Sequence, residues 1–271
     1  MTNNAHPEIP KLETLGKDLL KTSSFEKYLI VIRPFIALAV FVVAAYLEWW
    51  YALPFLIFLI FVSVVTATHD IVHNSIGLSR KQTEWLLFIM GSILLESGHA
   101  YRKTHHYHHR NFPAHDDLEG TPAHIGFWGS LLHGPVFIPR LWLWAFKNSE
   151  KGSAEKRWII IEGLWPFAFV AISILVLPWT PAPLFYATMA IVGSWVYPML
   201  NVYWLHKDFG DHSIHQSRTV RGWFISELFL GLTYHLEHHL YPQVPSHNLP
   251  QLAKRLDPFL EEQGVRIYHL F

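Results

Sequence analysis

Residues 51–73 read YALPFLIFLIFVSVVTATHDIVH. From Tyr51 to Thr68 no residue is charged, and the run is about as long as a helix needs to cross a bilayer. It ends in His69 and His73, four residues apart and therefore on one face of a helix. An apolar span closing on a pair of metal-type ligands sets two questions. One is how many such spans the chain holds, and the other is where its remaining histidines fall relative to them.

Three further apolar runs answer the first question: Phe35 to Leu47, Trp158 to Leu177 and Pro183 to Leu205. The first reaches spanning length when Tyr28 to Pro34 supplies its opening turns, which places Arg33 near a helix end, positioned to snorkel to the interface. Spans are expected at about residues 29–48, 51–68, 158–177 and 183–205, forming two helical hairpins. Half of the residues (51%) are hydrophobic, 15% are charged and 12 are Trp, a balance that favours a membrane protein over buried helices of a soluble one. Trp and Tyr at the segment ends argue the same way. A net charge of zero leaves no electrostatic case for a nucleic-acid partner. The absence of cysteine excludes disulfides and thiolate metal sites.

Lys and Arg orient the spans. Five lie up to Arg33, ten between Arg80 and Arg157, and six between Lys207 and Arg266, which accounts for all 21 and leaves the two short hairpin turns with none. The positive-inside rule then puts the N-terminus, the long middle stretch and the C-terminal tail in the cytoplasm. Residues 1–27 are polar, with no apolar stretch of signal-peptide type, and read as a cytoplasmic N-terminal segment. Within the middle stretch, Trp85 to Leu95 is a helix too short to span. Gly126 to Phe146 reads as a segment along the membrane surface, and Asn148 to Lys156 as a flexible linker. Gly222 to Thr233 reads as another short apolar helix. The fold class is all-α: four transmembrane helices in two hairpins under a cytoplasmic helical cap.

The histidines fall on that cytoplasmic side. His105-x-x-His108-His109 and His235-x-x-His238-His239 repeat one spacing 130 residues apart and join His69 and His73, so eight of the 19 histidines lie in three boxes. Neutral imidazole is the commonest metal ligand. His206, closing the fourth span, is a further candidate and would meet His69 and His73 if the hairpins pack side by side. His106 points away from its neighbours and is not counted. His212 and His215 rank lower, and His6, His115, His124, His133, His247 and His269 are given no chemistry. Glu237 reads either as a group orienting an imidazole or as a solvated charge. Asp116, Asp117 and Glu119 read either as groups behind the metal ligands or as a solvated loop, with the loop preferred. Arg102, Lys103, Arg110, Arg218 and Arg221 read as contacts to lipid headgroups or a docking surface for a protein partner.

Eight or nine imidazoles exceed what one zinc ion takes. The count fits two first-row ions with open positions, and iron suits redox chemistry with oxygen. A metal transporter or sensor is the rival class. Transport sites lie near the bilayer midplane, whereas here the spans hold almost no ionisable group, Glu162 excepted.

The boxes, their order and the closing run Tyr234-His235-Leu236-Glu237-His238-His239-Leu240-Tyr241-Pro242-Gln243-Val244-Pro245, followed by Asn248-Leu249-Pro250, resemble the membrane fatty acid desaturase superfamily, which also contains carotenoid ketolases and hydroxylases. The resemblance covers residues 28–271. It implies a desaturase-like membrane domain there and a centre of two iron ions ligated by His69, His73, His105, His108, His109, His235, His238 and His239, with His206 as the additional ligand. It also implies oxygen-dependent attack on an unactivated C–H bond, giving a double bond or an alcohol. Expected partners are a lipid substrate (an acyl chain or a carotenoid), O2, and a separate electron donor such as ferredoxin or cytochrome b5, because the chain has no room for a fused donor domain. Its termini are short, as in carotenoid ketolases, but the run through Asn248-Leu249-Pro250 resembles acyl-lipid desaturases, and the acyl reading is preferred.

Overall fold

A computed structural model describes residues 7–270; His6 lies outside the described residues. After α1 (Leu12–Leu15), the first long helix, α2 (Ser24–Tyr46), starts at a reciprocal cap. The Ser23 hydroxyl accepts from the Glu26 amide while the Glu26 carboxylate accepts from the Ser23 amide, satisfying two N–H groups the helix cannot pair internally. The helix therefore begins earlier than the apolar run, and Arg33 lies well inside it rather than near an end. A turn at residues 47–52 leads into α3 (Leu53–Val72), with Pro54 in its first turn, where a missing N–H costs nothing.

The middle stretch folds as α4 (Arg80–Leu94), α5 (Gly98–Asn111), α6 (Thr121–His124) and α7 (Gly126–Asn148). Ser79 and Gln82 cap α4 as Ser23 and Glu26 cap α2. The short helix expected at Trp85 to Leu95 is thus present, and it pairs closely with α5. A Cβ on Gly98 would run into the backbone of Leu87, so only glycine permits this approach. The expected linker at Asn148 to Lys156 is a tight corner instead. Ser149 is buried and bonds the Ala145 carbonyl, and Ser153 caps α8 (Ala154–Val176). Helix α9 (Ala182–Tyr197) widens into a π-helical turn at Pro198–Tyr203. The apolar stretch Gly222 to Thr233 is helical only at α10 (Trp223–Leu228) before it breaks into turns at Leu230 and Gly231, both with positive φ. Next come α11 (His235–Leu240) and α12 (Leu249–Glu262), and β1 (Thr219–Arg221) pairs in parallel with β2 (Ile267–His269).

Among the described residues, four helical stretches, Ser24–Tyr46, Trp50–Val72, Ala154–Val176 and Ala182–Tyr203, are long and apolar enough to cross a membrane. The outer faces of α2 and α8 expose Val40, Val42, Val43, Leu164, Phe167 and Leu175. A water-soluble fold would bury such faces, whereas lipid solvates them. Inside the bundle, Phe41, Ile57, Ile60, Val64, Leu87, Met90, Leu94 and Tyr186 form the main core. Tyr186 donates to the Ile93 carbonyl and Trp165 to the Ser92 carbonyl, tying the tip of α4 to both late spans.

A second core of Leu19, Leu236, Leu249, Leu252, Leu256 and Leu260 builds the cap from both ends of the chain. Arg255 pairs with Asp18, and Asn248 donates to the Leu19 carbonyl. The cap is fastened to α3 by Asp70, whose carboxylate accepts from both the amide and the hydroxyl of Ser246.

Candidate metal centre

Four pieces of backbone bring nine imidazoles together. The end of α3 supplies His69 and His73, α5 supplies His105, His108 and His109, α11 supplies His235, His238 and His239, and the segment after the π-helical turn supplies His206. Their nitrogens fall into two groups. In the first, ligand atoms of His69, His73, His105, His109 and His238 all lie within 4.8 Å of one another; in the second, those of His108, His206 and His239 do. His235 stands beside the second group, its Nε2 2.9 Å from that of His206. Helical periodicity explains the partition. His105 and His109, four apart, share the face of α5 turned to the first group, and His108 faces the second. Likewise α11 sends His238 to the first group and His239 to the second.

The rings are aimed by groups behind them. Glu119 lies 2.7 Å from His105 Nδ1, Asp117 lies 2.6 Å from His108 Nδ1, and the Gln216 carbonyl lies 2.8 Å from His206 Nδ1. An Nδ1–H donated outward fixes the tautomer and leaves the Nε2 lone pair pointing inward. Burial holds His105, His109, His206, His235, His238 and His239 well below the usual histidine range, with neighbouring imidazoles adding to the effect. Burial, then His69 and His106, push His73 down to about 2. Burial thus favours the neutral form of these rings, the form that binds metals. For His108, burial again opposes the charged form, but the bond to Asp117 and the charges of Glu119 and Asp117 outweigh it and raise the value.

The residues fit metal ions. His238 Nε2 lies 2.8 Å from His69 Nε2 and 2.9 Å from His109 Nε2. Facing lone pairs that close need a cation or a shared proton between them. His69 Nδ1, His73 Nε2, His238 Nδ1 and His239 Nε2 are buried without a hydrogen-bond partner, a costly arrangement for polar atoms. Opposite ligands on one first-row ion, at about 2.1 Å each, lie about 4.2 Å apart. The separations within each group, up to 4.8 Å, are close to that span, so a small inward shift of the rings would let each group close on one ion.

Several expectations need correction. Asp117 and Glu119 are not a solvated loop but are 1% and 4% exposed, and they hold the histidines; burial pushes Glu119 up to about 8. Carboxylates nine and fourteen residues beyond the box histidines they hold were the available signal, since a loop of that length can fold back over its own helix. His206 joins His108, His235 and His239 rather than His69 and His73. Glu237 neither orients an imidazole nor meets solvent: it is fully buried and accepts from Arg221 and Thr219. Arg102 and Lys103 pair with Glu84 and Glu155, Arg218 with Asp208, and Arg221 with Glu237 and Asp257. Four of the five proposed surface cations are thus engaged within the chain. His106 turns away as expected, toward the Val72 carbonyl. His115, His124, His133, His212, His215, His247 and His269 belong to neither group. Sequence reasoning passed over His99, which is buried between Glu84 and Glu162, 3.0 and 2.7 Å from their carboxylates, and stacked on Trp158. It braces α5 against α4 and α8.

Comparison with known proteins follows the same line. An acyl-lipid (9-3)-desaturase of Physcomitrium patens is 24% identical over 248 residues, covering 73% of this chain and 46% of that protein. The chain therefore spans about half the length of that curated relative. A family profile described as fatty acid desaturase matches residues 23–271. Four spanning helices, the paired histidine groups beneath them and this match over nearly the whole chain lead to one conclusion: the chain is an integral membrane protein of the fatty acid desaturase family.

Proposed function

We propose that this chain is a membrane di-iron oxidoreductase that uses O2 and electrons from a separate donor, such as a ferredoxin or cytochrome b5, to desaturate the acyl chain of a fatty acid or lipid. The observation that carries the reading is the convergence of nine imidazoles in two groups, each the size of one ion's ligand set. In this reading His69, His73, His105, His109 and His238 hold one iron, and His108, His206, His235 and His239 hold the other. The irons supply oxygen activation and the removal of hydrogen from unactivated carbon. The protein favours the neutral form of the imidazoles, His108 excepted, fixes tautomers through Glu119, Asp117 and the Gln216 carbonyl, and keeps bulk water away by burial. A cavity lined by Val65, Tyr101, Tyr197, Val202 and Leu232 reaches the histidines from the membrane-helix side, where an apolar chain can approach. The distribution of Lys and Arg favours a cytoplasmic location for both termini and the centre. The distant acyl-lipid relative favours the acyl substrate over a carotenoid.

Two measurements test this. Metal analysis of the purified protein is expected to find two irons per chain; one zinc without iron sinks the redox reading. Expression in one host rich in saturated acyl lipids and another making β-carotene is expected to yield new acyl double bonds. Keto- or hydroxy-carotenoids with unchanged acyl chains would replace the acyl reading with the carotenoid one. The carboxylates behind the imidazoles give a graded prediction. Asp117→Asn is expected to lower iron affinity by about 10- to 100-fold, the usual cost of losing such a partner, read as iron retained against a chelator series. Unchanged retention would remove Asp117 from the supporting role.

A further inference from the structure

A second cavity adjoins the histidine cavity and shares Val65, Tyr101, Glu119 and Tyr197 with it. It runs away from the centre between α3, α4 and α7, along walls that include Val64, Met90, Leu94, Ile138 and Leu141. From His105 back to Gly98 along α5 is about 10 Å, at 1.5 Å per residue. The cavity therefore starts beside the histidines, at Tyr101 and Glu119, and its Glu96 end lies about 10 Å further along any bound chain.

Its wall carries two buried carboxyls: Glu119, which already holds His105, and Glu96, which holds no histidine and is a group an oxygen-free substrate does not need. Glu96, in the tight turn between α4 and α5, lines the cavity, and its Oε1 is buried with no hydrogen-bond partner. Burial pushes its carboxyl up to about 8, so at neutral pH it is mostly the uncharged acid, able to donate as well as accept. Tyr101 and Tyr197, on the same wall, are among its polar neighbours. An unpaired buried carboxyl oxygen is costly to a fold. Leucine at this position would carry no such cost and would suit a plain hydrocarbon chain. The space is about 40 Å³, which admits a small functional group and its nearest carbons. An uncharged acid in an apolar wall selects against carboxylate or phosphate and pairs well with a hydroxyl or carbonyl.

We infer that Glu96 is a specificity-determining residue that hydrogen-bonds a neutral oxygen group, hydroxyl or carbonyl, near the far end of a long apolar substrate whose middle lies at the histidine groups. The inference rests on the proposed oxidation of a lipid at those groups and narrows its substrate to one that already carries an oxygen function distal to the reacting carbons. That function could sit on an acyl chain or on a carotenoid ring, and the chemistry at Glu96 is the same for both.

Equilibrium binding to the full-length purified protein tests it without turnover. The probes are two matched pairs: methyl stearate with methyl 18-hydroxystearate, and β-carotene with its 3,3′-dihydroxy derivative. The expected result is that the oxygenated member of one pair binds about five-fold tighter than its partner, the scale of one net hydrogen bond. The pair that shows the preference identifies the source. In Glu96→Leu the ratio is expected to fall to about one, and in Glu96→Gln, which keeps a donor and an acceptor, most of it should persist. Tyr197→Phe, which leaves Glu96 in place, is expected to reduce the ratio without abolishing it, and so covers the case in which Glu96→Leu does not fold. Equal binding within both pairs, or a preference unchanged in Glu96→Leu, overturns the anchor and leaves the oxidation reading standing. Failure of all four probes to bind counts against the lipid-oxidation reading, and the anchor falls with it.

Discussion

Replacing His238 with alanine is expected to reduce turnover by at least about a hundredfold, to strip bound metal, and to leave the protein in the membrane. His238 is the most central imidazole of the larger group, with His69 and His109 nitrogens 2.8 and 2.9 Å away. Losing a direct ligand should exceed the 10- to 100-fold typical of losing a group behind one. His108→Ala should act alike through the smaller group, because its Nε2 faces His206 at 3.2 Å and its Nδ1 is held by Asp117. Membrane retention follows because neither residue lies within a spanning helix. His133→Ala, on α7 and outside both groups, should retain metal and turnover. The measurement is metal per chain beside product per chain in the membrane fraction. Full turnover in His238→Ala would show that the ligands are misassigned.

The second large effect concerns stability. Arg221→Ala is expected to destabilise the fold by roughly 3–5 kcal/mol, the cost of removing one partner from a buried ion pair. Glu237 is fully buried on α11, and Arg221 reaches it at 2.6 Å while also pairing with Asp257. Without the guanidinium, Glu237 keeps only the Thr219 hydroxyl. The double variant Arg221→Ala/Glu237→Leu should recover most of the loss, since it removes the stranded charge as well. The pH dependence has a definite sign. Burial already raises the Glu237 carboxyl above its usual value, against the opposing pull of Arg221. A group that holds its proton more tightly when folded stabilises at low pH, and that contribution is lost as pH rises through the folded value. Taking away Arg221 raises that value further. The variant should therefore suffer more at pH 8 than at pH 5, read by thermal unfolding in detergent. A cost that does not change with pH would mean that Glu237 is already neutral beside Arg221.

Much of this architecture was legible because two strong periodic signals do not depend on tertiary context. Mostly apolar runs of spanning length located the four spanning helices, and the repeated H-x-x-H-H spacing picked out α5 and α11. What stayed hidden depends on where a loop returns. Asp117 and Glu119 look like any acidic loop until the chain folds back over α5. The Arg221 side chain looks like a surface cation until β1 carries it to Glu237. His99 has no neighbouring histidine and so no pattern, and its two carboxylate partners come from helices 15 residues before it and 63 after. The placement of His206 failed for a related reason. The end of a span can be read from hydropathy, but the side toward which the chain leaves a π-helical turn cannot.

The separation in sequence of the converging histidines bears on how the protein is made. His69 and His238 face each other across 169 residues, and His108 and His206 across 98. During synthesis the first hairpin and α5 are complete long before α11 leaves the ribosome, so most of the imidazoles are made before their partners exist. Contacts between residues this distant form late. Synthesis of residues 234–248 therefore supplies both the Ser246 bond to Asp70 and the α11 histidines that complete the two groups. A chain cut short before Tyr234 would insert its four spans normally yet lack the three histidines of α11, so correct insertion alone gives a quality-control system no sign that the centre is whole.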